Sequence, residues 1–340
     1  MYSIGFRNSV LIVRDDRSGW SMRRYSTLCE KVLGVETIRI PANTRGFKTL
    51  LYKLFILPWK IYSHKTRVVL LPSEKLVFLT FLVPNKAYVL VCHDLHDIMN
   101  GRLSKVRLWY EKILYRRISK ADRIITVSQN TKKELLNFLG VDNSLKVDVI
   151  HNPVEDSWFD RIGEDRLHEV SNVKGNFLLL VGTNAWYKNL EWAFKHISRL
   201  GLPIVKVGPL PEEFNIDSFN QPLVHLPFID EEELQWLYQN ALCLLFPSIH
   251  EGFGWPVLEA MASGCPVVAA RNSSITEVGG DAICYFDNGD ENQMLEWIEK
   301  IKNAPSFRAK LSQSGVERAE KFRMETFKVS WQDILTPLVV

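Results

Sequence analysis

Short apolar segments alternate along the chain with segments whose apolar residues recur at helical spacing. In the first half, strands are predicted at 9–13, 68–71, 88–92, 124–127 and 147–150. These runs lack clean alternation with polar residues, which is typical of parallel strands that helices cover on both faces. A helix is predicted at 21–33, with an apolar face formed by Met22, Tyr25, Leu28, Cys29 and Val32.

The same pattern restarts in the second half. Strands are predicted at 177–181, 204–207, 242–246 and 266–270, and helices at 189–200, 231–240, 256–263 and 291–303. Two sets of β-α units predict an α/β fold with two doubly wound parallel sheets. The polar segment 155–174 is the predicted boundary between two Rossmann-like domains. Ligands of such domains bind at the carboxyl ends of the strands, and here we expect them in the cleft where the two domains face each other.

Composition indicates a soluble globular protein in a reducing cytoplasm. The 340 residues are 46% hydrophobic and 24% charged. The longest apolar run, Leu76 to Val83, is too short to span a membrane, and the N-terminus lacks the features of a signal peptide. The five cysteines form no CxxC pair, so we expect buried free thiols rather than disulfides or a zinc site.

Charge is distributed unevenly between the halves. Residues 1–150 carry a net charge of +14 and residues 151–340 a net charge of −11. A basic half would suit nucleic acid, an anionic substrate or an anionic membrane surface.

Two segments of the basic half, 47–62 and 102–120, also carry many aromatic residues. The second has seven basic residues and one acid, and its predicted apolar stripe consists of Leu103, Val106, Tyr110, Ile113 and Leu114. Two interpretations stay open: an ordinary domain helix with a solvated charged face, or a surface that contacts anionic lipid.

The segment HEGFGWPVLEAMASGCPVVAA, residues 250–270, carries the most chemistry. Gly252 and Gly254 allow close approach of a ligand to the backbone. Pro256 suits the first position of a helix, and Gly264 suits its end. The loop therefore opens onto a helix N-terminus, which favours an anion such as a phosphate.

Two carboxylates, Glu251 and Glu259, lie on either side of this predicted anion site. Because an ionised carboxylate only accepts hydrogen bonds, it can hold the hydroxyl groups of a ribose or a sugar beside a phosphate. Glutamate is common in loops and in first helical turns, so each residue taken singly is weak evidence. A dinucleotide fingerprint would need a third glycine where Val257 stands.

The stretch EGFGWPVLEAMASGCPVVAARNSSITEVGG resembles the donor-site signature of glycosyltransferase family 4. VCHDLHD, ADRIITVSQNTKKEL, VIHNPV and VGTNAWYKNL extend the resemblance over most of the chain. It implies a GT-B fold and retaining transfer from a nucleotide-sugar. It also implies domains at 1–165, binding the acceptor, and at 166–321, binding the donor, with a C-terminal helix at 322–340 that returns to the first domain.

The resemblance also implies roles for individual residues. Glu259 would hold the ribose, Glu251 the hydroxyls of the transferred sugar, and Lys188 the diphosphate. His93 would face the reacting sugar from the first domain, although not as a general base. The remaining donor contacts would come from backbone amides: those of Gly252, Phe253 and Gly254 to the sugar, and those of Val257 and Leu258 to the diphosphate. Contacts to the base are expected near 208–209 and 227–229.

Two departures from the family pattern concern the diphosphate. Many members place an arginine at the positions of Thr183 or Tyr187, so the positive charge expected there is missing. The glycine-rich first loop retains only Gly19, with Arg23 and Arg24 nearby to contact the diphosphate or the acceptor.

The sequence thus predicts a metal-independent hexosyltransferase without a cofactor, because no DxD motif is evident and protein cations can stabilise the leaving group. GDP-mannose is the favoured donor and a UDP-hexose the second. The expected acceptor is a lipid-linked glycan of polysaccharide or O-antigen biosynthesis, reached from the cytoplasm at an anionic membrane surface. A catalytically weak GT-B scaffold subunit and a Rossmann oxidoreductase are the alternatives; the missing third glycine and the repeated β-α pattern oppose the oxidoreductase.

Overall fold

A computed structural model describes residues 6–42, 46–99, 104–141, 146–163, 170, 173, 176–211 and 221–339. The chain divides into two compact units. The first contains the residues up to Asn152 and those from Glu325 onward, and the second contains Pro153–Met324. The boundary predicted at 165–166 falls outside the described residues.

The first unit is built on one parallel sheet of six strands, in the order β2-β1-β3-β4-β5-β6. Its strands are β1 (Val10–Asp15), β2 (Glu36–Ile40), β3 (Val68–Leu71), β4 (Ala87–Cys92), β5 (Arg123–Thr126) and β6 (Val147–Val149). Its helices within the N-terminal part are α1 (Trp20–Leu33), α2 (Phe47–Leu51), α3 (Leu57–Ser63), α4 (Leu79–Leu82), α5 (His96–Met99), α6 (Lys105–Arg117) and α7 (Gln129–Leu139). A π-helical turn, Tyr52–Ile56, joins α2 to α3.

The second unit has a six-stranded parallel sheet in the order β12-β11-β10-β7-β8-β9. Its strands are β7 (Leu178–Val181), β8 (Ile204–Val207), β9 (Leu223–Leu226), β10 (Cys243–Phe246), β11 (Val267–Ala270) and β12 (Cys284–Phe286). Its helices are α8 (Leu190–Ile197), α9 (Glu231–Asn240), α10 (Trp255–Ala262), α11 (Ile275–Gly279), α12 (Glu291–Asn303) and α13 (Pro305–Ala319). This strand order is that of the dinucleotide-binding Rossmann fold, in which the order reverses between the first and fourth strands, here β7 and β10.

The last helix, α14 (Met324–Val339), belongs to the first unit from Glu325 onward. Phe327 packs edge-to-face on Tyr25 of α1, with ring centroids 5.6 Å apart. Trp331 and Leu335, further along α14, are fully buried. The apolar face of this helix is thus part of the core of the first unit.

The predicted α/β class with two doubly wound parallel sheets is confirmed. Each predicted strand is present, with ends shifted by no more than two residues. All five cysteines are buried free thiols, as expected. Three strands were not predicted, β2, β9 and β12, and each of them lies at an edge of its sheet.

The apolar stripe predicted for the segment 102–120 is wrong in its first half. Val106 and Tyr110 are 77% and 55% exposed, whereas α6 buries Glu111 and Tyr115. Leu103 lies outside the described residues. The helix therefore turns its predicted stripe partly toward solvent, because Tyr115 and not Tyr110 packs into the core of the first unit.

Candidate active site

The loop after β7 carries the first of the predicted donor residues. Gly182 follows the strand with φ +139°, a value that residues with a side chain rarely adopt. The exposed Thr183 comes next, and a 3₁₀ turn covers Trp186–Lys188. Asn189 then begins α8 in the left-handed conformation, with φ 53°. This turn brings Lys188 back to the strand end, where its Cε lies 3.6 Å from the place of a Cβ on Gly182.

An ion pair connects the loop after β7 with the loop after β10. Nζ of Lys188 lies 2.6 Å from Oε1 of Glu251, and the two side chains are only 12% and 11% exposed. The ammonium also lies 5.5 Å from the ring centroid of Tyr187 and 5.2 Å from that of Phe246. Since β7 and β10 are neighbours where the strand order reverses, the pair occupies the position at which this type of sheet binds ligands.

Three residues after β11 hold the loop of Glu251 in place, and sequence reasoning assigned no role to them. Ser273 Oγ accepts a hydrogen bond of 3.0 Å from the Glu251 amide. The fully buried Ser274 donates to the carbonyls of Glu251 and Phe253 at 2.9 and 2.8 Å. The side-chain amide of Asn272 donates to the carbonyl of Ser248. The run NSS directly after an apolar strand was the available signal, because serine and asparagine bond to nearby backbone.

Helix α10 begins at the end of this loop, with Gly254 as its N-cap at φ 110°. A Cβ on Gly254 would lie 2.5 Å from Cδ1 of Ile275, so only glycine fits. Val257 and Leu258, whose amides were predicted to bind the diphosphate, both donate to the carbonyl of Gly254 at 3.1 and 3.3 Å. Phe253, predicted to offer its amide, buries its ring 6.0 Å from that of Phe322. Gly252 precedes it in the same loop.

Glu259 lies at the fifth position of α10, one later than expected, and is 2% exposed. The hydroxyl of Tyr238 in α9 lies 3.4 Å from its Oε2. The helix thus places a second carboxylate in the loop-and-helix unit that follows β10.

A buried lysine on β8 was not predicted as a site residue. Lys206 is fully buried, and its Nζ donates to the carbonyls of Gly182 and Val207 at 2.7 and 2.5 Å. Burial, and next the charge of Lys188, lowers the pKa of the Lys206 ammonium to about 7. One charged residue within the otherwise apolar strand IVKV was the signal in the sequence.

In the first unit, His93 directly follows β4 and is buried. Its Nε2 lies 2.9 Å from the carbonyl oxygen of Pro72, and because a carbonyl only accepts, Nε2 carries the proton. Burial lowers the pKa of His93 below its ordinary value, against the opposing effects of Pro72 and Asp94. The imidazole is therefore neutral at pH 7, with Nδ1 as an acceptor.

Glu74, in the 3₁₀ turn after β3, is a buried carboxyl that the sequence did not single out. Burial, and next the charge of Asp94, raises its pKa to about 7. It therefore titrates near neutral pH beside the end of β3.

The loop after β1 leads into α1 through Gly19, which is its N-cap. No atom lies within 4 Å of the position that a Cβ would take on Gly19, so the space beside this residue is open. Arg24 of α1 is buried, and its guanidinium lies 5.0 Å from the ring of Trp20.

The structure thus brings Lys188, Glu251 and the residues 252–258 together at one sheet end of the second unit, and it places His93 at a strand end of the first. The segments expected to contact the base, 208–209 and 227–229, follow β8 and β9. Within the described residues, no group of three or more His, Cys, Asp or Glu side chains could hold a metal ion.

Comparison with protein families accounts for both units. Residues 163–318 match the family model described as glycosyl transferases group 1. Residues 21–158 match the model described as glycosyltransferase family 4, so that the two matches span most of the chain. The chain belongs to glycosyltransferase family 4. One curated relative, the O-antigen chain mannosyltransferase RfbU of Salmonella typhimurium, is 26% identical over 320 residues, covering 89% of this chain and 87% of the relative.

Solved structures show the same fold for this family 4 chain. Sucrose-phosphate synthase from Thermosynechococcus elongatus superimposes with a TM-score of 0.78 at 17% identity, covering 97% of this chain and 99% of the other. HepE of Anabaena, in complex with UDP and glucose, superimposes with a TM-score of 0.75 at 18% identity, covering 96% of this chain and 99% of the other. These similarities confirm the predicted GT-B fold.

Proposed function

We propose that this glycosyltransferase transfers a hexose, with mannose favoured, from a nucleotide-sugar to a glycan acceptor with retention of configuration. The observation that carries the proposal is the Lys188–Glu251 pair at the point where the strand order of the second sheet reverses. A cation and an acceptor of hydroxyl protons lie together there, as a sugar joined to a diphosphate requires.

Lys188 has the chemistry to stabilise the leaving group. When the bond between the anomeric carbon and the phosphate oxygen breaks, negative charge grows on the departing nucleoside diphosphate. A partly buried ammonium stabilises that charge more strongly than one in water, because the local dielectric is lower. The acceptor oxygen bonds to the same carbon as its hydroxyl loses a proton, which the departing phosphate oxygen can take.

The two glutamates are proposed to hold hydroxyl groups. Glu251 is fixed through its backbone by Ser273 and Ser274, so its carboxylate is held beside Lys188 to accept bonds from the sugar. Glu259 would accept bonds from the ribose diol. His93, neutral with its proton on Nε2, keeps the proposed role of a contact to the transferred sugar.

Mannose is favoured because RfbU, a relative over most of both chains, is named as an O-antigen chain mannosyltransferase. GDP-mannose is therefore the first donor to test. HepE was solved with UDP and glucose, and a UDP-hexose is the second.

The proposed acceptor is a lipid-linked glycan at the cytoplasmic face of an anionic membrane. The support is an aromatic-basic surface of the first unit, formed by the exposed residues of α2, the π-helical turn that follows it, α3 and α6. Its most exposed aromatic side chains, 55–71% accessible, are those of Phe47, Phe55, Trp59, Tyr62, Trp109 and Tyr110. Exposed aromatic rings among basic residues suit the interface of an anionic bilayer.

Contacts through α4 connect the two parts of this surface. Lys53 lies 5.8 Å from the ring of Phe78, which precedes α4, and Arg117 of α6 lies 4.7 Å from the ring of Phe81 within it. In the described part of the chain, no helix is long and apolar enough to cross a bilayer. The association that we propose for this surface is peripheral, through its aromatic rings and basic side chains.

We also propose that transfer needs no metal ion or other cofactor, with Lys188 supplying the charge that stabilises the diphosphate. The alternative function is a catalytically weak scaffold subunit, favoured by Thr183 and Tyr187 where family members carry an arginine. The intact Lys188–Glu251 pair opposes it.

A thermal-shift screen tests the proposed donor class. We expect GDP-mannose, or failing that a UDP-hexose, to raise the melting temperature selectively, since a ligand at a hundred times its Kd adds about 2.7 kcal/mol of stability. The change Glu259→Ala should abolish the shift, because the ribose loses its acceptor. The control Glu317→Ala, at a solvent-facing position of α13, should leave the shift unchanged. A protein that no nucleotide or nucleotide-sugar stabilises would contradict the proposal.

A further inference from the structure

Lys206 occupies a position where an apolar residue would be expected. Its neighbours in β8, Ile204, Val205 and Val207, are all buried, and Lys206 itself has no exposed surface. Taking an ammonium out of water costs free energy unless hydrogen bonds and opposite charge compensate it. Two backbone carbonyls supply hydrogen bonds, at 2.7 and 2.5 Å.

The described part of the second unit gives this ammonium no ion pair. The charged group that acts on it is another cation, Lys188. With both lysines charged, the described residues at this sheet end carry two ammonium groups and the one carboxylate of Glu251 that is paired to Lys188, which leaves an excess of positive charge. Such a site is suited to a polyanionic ligand.

The bond to Gly182 also fixes the direction of one peptide group. The carbonyl of Gly182 points to Nζ of Lys206, and this requires glycine at position 208, where a Cβ would lie 2.4 Å from the same oxygen. In a trans peptide, the carbonyl and the following N–H point in opposite directions. The N–H of Thr183 therefore points away from the buried lysine.

We propose that Lys206 is a positioning residue for the donor diphosphate: it fixes the Gly182–Thr183 peptide with its N–H outward and adds positive charge beneath the loop. The inference rests on the proposed function and deepens it. It supplies the charge that the family pattern places on an arginine at position 183 or 187, where this chain has Thr183 and Tyr187.

Binding of a diphosphate then favours the charged form of Lys206, so the protein takes up a proton. Among the described residues, the other charged or titratable groups near this region are Lys188 in the turn after β7, Glu251 in the loop after β10, and His225 of β9. His225 has its Nε2 3.0 Å from the carbonyl oxygen of Gly208. The variant Lys206→Met leaves all three in place and removes only the lysine.

Isothermal titration calorimetry of the full chain tests the inference. GDP and UDP, and separately GMP and UMP, are titrated at pH about 8.5 in two buffers that differ in ionisation enthalpy. The proteins are the wild type, Lys206→Met and the matched control Lys86→Met. Lys86 belongs to the first unit and likewise donates to two backbone carbonyls, at 2.6 and 2.7 Å.

We expect Lys206→Met to bind the nucleoside diphosphate at least about tenfold more weakly, because a charge that acts in a low-dielectric interior is lost. Its affinity for the monophosphate should fall by less than about threefold. Lys86→Met should bind both nucleotides as the wild type does. The wild type should take up most of one proton with the diphosphate, and Lys206→Met almost none.

Three results would overturn the inference without contradicting the proposed function. In the first, Lys206→Met binds the diphosphate with an affinity within about twofold of wild type. In the second, its affinity for the monophosphate and for the diphosphate falls equally, which would indicate a structural role only. The absence of proton uptake by the wild type would also overturn it, and that measurement does not depend on whether the variant folds. If the wild type binds neither GDP nor UDP, the proposed function fails and the inference fails with it. Normal binding by Lys206→Met would instead leave the proposed function intact.

Discussion

At the residue scale, the proposed donor site contains two lysines with different surroundings. Lys188 is paired with Glu251 at 2.6 Å and keeps some contact with solvent. Lys206 is fully buried, and its hydrogen-bond partners among the described residues are two backbone carbonyls. A buried ammonium lowers the stability of the fold. Such a group is expected where function requires it.

This cost predicts a pH-dependent gain of stability in Lys206→Met. The folded-state pKa of about 7 lies below the ordinary 10.5, so the unfolded chain binds the extra proton between these values and stability rises with pH across this window. The variant should be more stable than wild type by on the order of 2 kcal/mol at pH 6.5. Its advantage should shrink by at most about 1.4 kcal/mol per pH unit above pH 7.

Urea unfolding at pH 6.5 and 9.5 measures this difference, with Lys310→Met, at an exposed position of α13, as the control that should show no such gain. A variant that is less stable than wild type at both pH values would contradict the assignment of a buried, costly charge.

Two continuous stretches, VGTNAWYKNL and HEGFGWPVLEA, were sufficient to single out Lys188, Glu251 and Glu259 as candidates, and their roles stay predictions. Lys206 could not be placed in the same way. Its contact with Gly182 depends on β8 lying beside β7, in register Leu180 to Lys206. Strand neighbours are set by the tertiary fold and not by local sequence.

At the element scale, the strands that the pattern predicted are mostly interior strands of their sheets, with β6 as an edge strand that was also predicted. The three that it missed are edge strands. In β2, the residues ETIRI bury only Ile40, since an edge strand has fewer neighbours to cover it. Its weaker apolar signal follows from that position.

The aromatic-basic surface of the first unit predicts binding to anionic vesicles. The double change Phe55→Ser and Trp59→Ser removes two side chains that are 65% and 66% exposed, so the fold should be retained. Binding to vesicles of phosphatidylcholine with phosphatidylglycerol should fall at least about tenfold, through lost insertion of aromatic rings.

Cosedimentation with vesicles measures this effect, and Phe228→Ser is the matched control. Phe228 is an 85% exposed aromatic residue of the second unit, and its change should leave binding intact. High salt should weaken binding of the wild type. Equal partitioning to neutral and anionic vesicles, or a double variant that binds normally, would count against a membrane-docking surface and favour a protein partner.

At the scale of the whole molecule, the uneven charge matches a division of labour between the two units. The basic half carries the surface proposed for the anionic membrane, and the half with a net charge of −11 carries the proposed donor site. Within that acidic unit, two lysines, Lys188 and Lys206, lie at the end of β7 with the carboxylate of Glu251. Net charge alone would therefore mislead about where the diphosphate binds, because local geometry sets the field at a site.

The most direct test of the central claim is the rate at which the purified protein releases GDP from GDP-mannose, in the presence of EDTA and a membrane fraction that supplies lipid-linked acceptors. We expect release by the wild type, with UDP-hexoses as the second donors to assay. Lys188→Met should lower kcat by about a hundredfold or more, because the charge on the leaving group loses its stabilising ammonium. Lys86→Met should leave the rate within about twofold. Release that requires an added metal ion, or that Lys188→Met retains in full, would contradict the account, and no release from any sugar donor would favour the scaffold.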